Sequence, residues 1–267
     1  MQIQTVTAMT LKNNILLNIS ILCAALALLS GCASSQQHET MLMNGKTVMT
    51  DPFEETNRQV FAFNNAVDKA VIHPIAKGYN EVVPQPARTG ITNVLRNLKT
   101  PTTLANQLLQ GDLEGAGNVV LRGVINTLIG VGGLFDVAGA ENIPYEPEDF
   151  GQTLGKWGVD HGPYLVVPII GPSSTRDYAG FFIDSLADPL RWYLFNIDEE
   201  GIYYGKVGME YLTLRADLVD VLEDLEKSSI DYYAATRSAY YQRREALVED
   251  QDPESMSAPA IPDYDEY

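Results

Sequence analysis

Cysteine and histidine are almost absent: the chain has two and three of them in 267 residues. Cys23 lies inside an N-terminal apolar run and Cys32 closes it. Removal of that run leaves one cysteine, so no disulfide braces the fold and it must rest on packing. A cysteine zinc site is excluded on the same count. The histidines are scattered: His38 lies in a polar stretch, His73 precedes Pro74, and His161 sits beside Asp160 in a Gly-rich loop, where a solvated ring is expected. No Gly-x-Ser-x-Gly elbow supports Ser173 or Ser174. The Gly130-Val131-Gly132-Gly133 run follows a helical pattern and lacks dinucleotide-loop spacing. Neither a catalytic constellation nor a metal or cofactor site is expected. Basic residues are also scarce, 18 Lys and Arg against 35 Asp and Glu, for a net charge of −17. That balance argues against nucleic acid, whose phosphates need clustered cations, and against a polybasic grip on anionic headgroups. No apolar run reaches the ~20 residues that a spanning helix needs.

What is present begins with Leu29-Ser30-Gly31-Cys32, after a lone Lys12 and a Leu-, Ile- and Ala-rich stretch from Ile15. Small residues directly before a cysteine make this a lipoprotein signal, residues 1–31, with Cys32 as the acylation site. Cleavage leaves 236 residues and, with Lys12 gone, a net charge of −18. Stable anchoring takes two or more hydrophobic signals, so apolar protein surface is expected to assist the acyl chains. Ala33, in place of an Asp, favours sorting to the outer membrane of a Gram-negative cell.

Residues 32–50 are polar and aperiodic and are expected to be a tether. The folded part, 51–248, begins at Asp51-Pro52, read as a helix cap with proline at the first position. Phe53, Val60, Phe61, Phe63, Val67 and Val71 recur at helical spacing until His73-Pro74, which is expected to end the helix. Further helices are read at Ile91–Leu98 and at Leu104–Leu109, the latter stopped by Gly111. Val119–Leu134 is the most apolar segment of the mature chain, with Leu121, Val124, Ile125, Leu128 and Ile129 on one face and Arg122 and Asn126 interrupting it. It suits either a bilayer surface or a core. Residues 139–180, dense in Gly and Pro, read as largely loop-like. The aromatic stretch Phe181–Ile197 suits a headgroup region or a core equally well. Two amphipathic stripes follow, Leu212–Leu225 and Ile230–Leu247. Residues 249–267, acidic and without Lys or Arg, read as a disordered tail. The class is mostly α, with little strand pattern.

Motifs in order carry a resemblance. They include Asp51-Pro52-Phe53-Glu54, Asn57-Arg58, Phe63-Asn64, Asn93, Asn97-Leu98 and Leu109-Gln110-Gly111. Arg122, Asn126-Thr127, Gly130, Gly132-Gly133 and Phe135-Asp136-Val137-Ala138 follow. The longest is Glu148 to Gly155, followed by Trp157-Gly158, Gly162-Pro163-Tyr164 and Arg176-Asp177. The chain resembles the MlaA/VacJ family of outer-membrane lipoproteins over roughly residues 51–200, and more loosely to about 247. The resemblance implies a single helical, ring-like domain lying in the inner leaflet of the outer membrane, with a central amphipathic channel. Phospholipids misplaced in the outer leaflet would pass down it to a soluble periplasmic carrier, which keeps the membrane asymmetric. A trimeric porin is the other implied partner.

A lipid conduit needs an apolar wall for tails and a polar stripe for headgroups. Arg122, Val124, Ile125, Leu128 and Ile129 are the candidates for it, with Arg122 as phosphate partner. Gly130, Gly132, Gly133 and Phe135 are candidates for a mobile gate loop; the alternative is a core helix ending in a glycine turn. Two other functions stay open: an envelope phospholipid hydrolase using Ser173 and His161, and a surface interaction lipoprotein.

Overall fold

The computed structural model describes residues 50–251 and the strand residues 42–43 and 46–47. The signal, Cys32, most of the tether and the tail beyond residue 251 lie outside the described residues. Within the expected tether, β1 (Leu42–Met43) and β2 (Lys46–Thr47) form a small antiparallel hairpin, Leu42 opposite Thr47.

The first helix, α1, spans Glu54–Val67, two residues later than Asp51 would place it. Asp51 does not cap it. Its buried carboxylate instead accepts from Asn57 Nδ2 at 2.8 Å, from Arg237 Nη1 at 2.8 Å and from the Tyr233 hydroxyl, joining both ends of the domain. Nor does His73-Pro74 end the helix. A π-helical segment, Asp68–Ile72, carries the chain directly into α2 (His73–Val82), with Pro74 in its first turn. Widening the hydrogen-bond spacing lets the chain pass a residue that lacks an N–H without breaking.

The helices α3 (Gln85–Leu98) and α4 (Thr100–Gln110) follow, and Gly111 closes α4 in the left-handed region at φ +82°. Asp112 caps α5 (Leu113–Leu128) by accepting from the N–H groups of Glu114 and Gly115. Asp136 caps the short α6 (Val137–Ala140), and Asp149 caps α7 (Phe150–Lys156). The stretch expected to be mostly loop thus holds α7 and an antiparallel hairpin, β3 (Tyr164–Val167) with β4 (Gly171–Ser174). Pro168, which interrupts the apolar run, sits in the turn, where its missing donor costs no ladder bond. The remaining helices are α8 (Thr175–Ala187), α9 (Pro189–Asn196), α10 (Glu200–Asp217), α11 (Val219–Ser228) and α12 (Tyr232–Val248). Ile230, placed in the last stripe by spacing, lies in the connection before α12 and is fully exposed.

Neighbouring elements close into a circuit: α3 packs on α4, α4 on α7, α7 on α12, α12 on α11, α11 on α2, α2 on α10, and α10 returns to α3. Its apolar clusters are small. One joins Tyr164, Val166 and Tyr233, the other Ala76, Ala216 and Val219. Among the described residues, sixteen polar or charged side chains are buried against fourteen apolar ones, while 34 large hydrophobics are exposed. That inverts the usual order, in which charged residues are almost never fully buried.

Candidate functional site

The inversion is clearest on α5. Gly115, Ala116, Val119, Arg122 and Asn126 share the buried face, whereas Leu121, Val124 and Leu128 point outward. Leu128 is 77% exposed and Ile129, just past the helix, 66%; Ile125 is half-buried. The helical period is as expected, but the polar stripe faces inward. Large apolar side chains exposed in this number along one helix face are the mark of a surface that meets something other than water. The exposed side chains of α8 and α9, Phe181, Phe182, Leu186, Trp192 and Tyr193, add to it, so the aromatic segment is surface rather than core. No described helix is long and apolar enough to cross a membrane.

On the inner side, Asp136 gathers the polar groups of α5. It accepts from Arg122 Nη2 at 2.7 Å, Asn126 Nδ2 at 2.9 Å and the Gly139 N–H at 3.0 Å. Burial pushes the Asp136 carboxyl up, but these donors outweigh it and hold it below the usual carboxylate range. Arg122 also donates to the Ile143 carbonyl, and Asn126 accepts from the Ala138 N–H at 2.9 Å. Arg122 thus has a carboxylate and a carbonyl partner within the protein.

The glycines expected to form a gate make a defined turn. Gly132 donates to the Thr127 carbonyl at 3.0 Å, Gly133 to Asn126 at 2.7 Å, and Phe135 to Gly130 at 2.9 Å. Val131, Gly132 and Gly133 are all left-handed, at φ +55°, +70° and +92°. For a β-branched valine this is strained backbone, of the kind that collects at functional sites. The turn rests on α3: Asn97 Nδ2 donates to the Thr127 hydroxyl at 2.9 Å, and a Cβ at Gly133 would lie 2.5 Å from that of Asn97. Its tip is apolar and exposed, through Ile129, Val131 and Phe135.

Between α3, α4 and α5 lies a half-open notch of about 30 Å³ bordered by Asn93, Arg96, Asn97, Arg122 and Tyr145. Arg96 lies over the Tyr145 ring at 4.6 Å and Arg122 at 5.4 Å. Sequence reasoning gave no role to Arg96 or Tyr145. The signal was available for α3, since Asn93, Arg96 and Asn97 recur at i, i+3 and i+4 and so share a face.

The residues of the hydrolase alternative lie in another cluster and do not pair. His161 is buried, not solvated, with Nε2 2.7 Å from Glu245 and Nδ1 3.8 Å from Asp177. Ser173 is instead hydrogen-bonded to Tyr240 at 3.0 Å. Arg244 bridges Asp149 and Asp177. Although burial opposes it, His161, Arg244, Tyr240 and Arg176 hold the Asp177 carboxyl far below its ordinary range. The cluster ties α7, α8 and α12 together. Among the described residues no group of His, Cys, Asp and Glu is arranged to hold a metal.

The sequence model of the family described as MlaA lipoprotein matches residues 49–247. A relative in Escherichia coli K12, named intermembrane phospholipid transport system lipoprotein MlaA, is 36% identical over 236 residues, 87% of this chain and 89% of the relative. The protein of the same name in Haemophilus influenzae is 32% identical over 235 residues, 87% of this chain and 90% of that one. A solved chain from work on the structural basis for maintenance of bacterial outer membrane lipid asymmetry superposes with a TM-score of 0.66 at 37% identity. The match covers 74% of this chain and 99% of that one.

Proposed function

The chain belongs to the MlaA lipoprotein family, and on that premise we propose that it moves phospholipids between membranes and so maintains outer-membrane lipid asymmetry. The observation that carries the reading is the inverted α5, with apolar side chains outward and Arg122 and Asn126 inward. A helix of this kind is stable where its outside meets acyl chains and its inside meets polar groups. The proposal therefore seats the domain in the inner leaflet of the outer membrane, with the acylated Cys32 as sorting and positioning device. The closed circuit of packed helices suits a ring around a central amphipathic channel. Phospholipid taken from the outer leaflet would descend this channel and pass to a soluble periplasmic carrier, beside a trimeric porin. Val124, Ile125, Leu128 and Ile129 belong to the apolar outer surface of the domain, and the Gly130–Phe135 turn is the gate of the channel. Chemistry on the lipid has no part in it, since Ser173 and His161 are held by separate partners.

The test is Gly132→Pro with Gly133→Pro. Both glycines use their N–H in the turn and both have positive φ, which proline can neither donate nor adopt. With the protein made at its normal level, phospholipid in the outer leaflet is expected to rise. An unchanged leaflet composition overturns the gate.

A further inference from the structure

The chain has nearly two acidic residues for each basic one, and carboxylates answer most of its arginines. Arg58 pairs with Asp231, Arg122 with Asp136, Arg215 with Asp68, Arg237 with Asp51 and Arg244 with Asp149. Among the described residues Arg88, Arg96 and Arg191 have no carboxylate partner: Arg88 donates to the Asn80 side chain, Arg191 to the Ser185 carbonyl, and the Arg96 guanidinium lies over the Tyr145 ring at 4.6 Å, at the edge of the notch. Tyr145 is shared with Arg122 at 5.4 Å, so two guanidiniums flank one ring while Asp136 answers only the second. Glu146 also borders the notch, and burial with its acidic neighbours Asp112, Asp250 and Glu114 pushes its carboxyl above the ordinary range. The notch thus presents a guanidinium with no hydrogen-bonded carboxylate of its own, flanked by the side-chain amides of Asn93 and Asn97, with Asp136 and Glu146 also on its border.

We infer that Arg96, stacked on Tyr145, recognises the phosphodiester of a phospholipid headgroup. This rests on the transport reading above and names the residue that would read the lipid. A guanidinium fork matches two phosphate oxygens, and a ring beneath it fixes its plane. The size of the notch sets the limit. Thirty cubic ångströms holds about two waters, so phosphate oxygens enter while the glycerol and acyl chains stay outside. Arg122, expected from sequence to be the phosphate partner, becomes a positioning residue: Asp136 and the Ile143 carbonyl fix it 5.4 Å from the Tyr145 ring.

The experiment uses the full-length acylated protein in detergent micelles. Its ligands are a fluorescent phospholipid, the diacylglycerol with the same chains, and inorganic phosphate as competitor. Arg96→Gln is expected to weaken phospholipid binding by roughly tenfold or more, the size of a lost charge-assisted hydrogen bond, while leaving diacylglycerol binding unchanged. Arg96→Lys is expected to recover part of the loss, because the charge returns without the fork. Full phospholipid affinity in Arg96→Gln overturns the proposal. Equal loss of both lipids overturns it too, since the effect is then not on phosphate. Complete displacement of the phospholipid by millimolar inorganic phosphate assigns the notch to free phosphate and overturns the headgroup reading. Failure of the transport reading shows elsewhere: a strain lacking the protein would keep normal outer-leaflet phospholipid whatever Arg96 binds.

Discussion

Leu128→Asp separates a helix face that meets water from one that meets lipid. Leu128 is 77% exposed near the end of α5, on the same side as Leu121 and Val124. On a water-facing surface, such a substitution changes stability by about 0.5 kcal/mol at most. On a lipid-facing surface two terms add. Roughly three-quarters of a leucine's transfer energy is lost, about 1.5 kcal/mol. A carboxylate enters the apolar layer at about 2.5 kcal/mol, the lower end for a helix centre. Together they weaken membrane partitioning by about 4 kcal/mol, roughly a thousandfold. The assay is liposome flotation of a chain carrying Cys32→Ala, which removes the acyl anchor, with circular dichroism confirming the helical fold. The parent is expected to float with the liposomes, and Leu128→Asp to remain in solution. The reasoning is refuted if the folded variant floats within about twofold of its parent, or if the non-acylated parent does not float at all.

Further expectations follow from single contacts. Glu148 is pushed up to about 7 by burial, against an ordinary 4.5, so the fold holds its proton where the unfolded chain has lost it. Its contribution to stability is present below about pH 4.5 and is lost as pH rises through about 7; Glu148→Gln should flatten the pH dependence of Tm between pH 5 and 7.5, and an unchanged slope would count against it. Gly133→Ala places a Cβ 2.5 Å from that of Asn97 at a φ of +92°, and should cost about 1–3 kcal/mol in denaturant unfolding; a loss below about 0.5 kcal/mol would show that the turn yields. Ser173→Ala removes only a hydroxyl bound to Tyr240, and should leave outer-leaflet phospholipid unchanged; a rise with normal protein level would revive the hydrolase reading.

Helices formed by local pattern were legible in the sequence. Leu104–Leu109 with Gly111 announced α4, and Ile91–Leu98 announced α3, because period and cap are properties of neighbouring residues. The direction of each face was not legible. Period identifies a stripe without saying whether it faces lipid or core, so α5 was recognised as amphipathic while the burial of Arg122 and Asn126 was not. Long-range partners were hidden as well: Asp51 looks like a helix cap until Tyr233 and Arg237 arrive from the far end of the chain. His161 looks solvated for the same reason, its partners Glu245 and Asp177 lying far along the chain. The π-helical segment that leads into His73-Pro74 runs against the general rule that proline ends a helix.

The most direct test of the account is the amount of phospholipid in the outer leaflet of living cells. It is read by labelling surface-exposed aminophospholipids on intact cells with an amine-reactive probe that cannot cross the membrane. Cells lacking this chain are expected to show raised labelling, and the restored wild-type chain should return it to the original level. Labelling that stays the same with and without the protein would contradict the account.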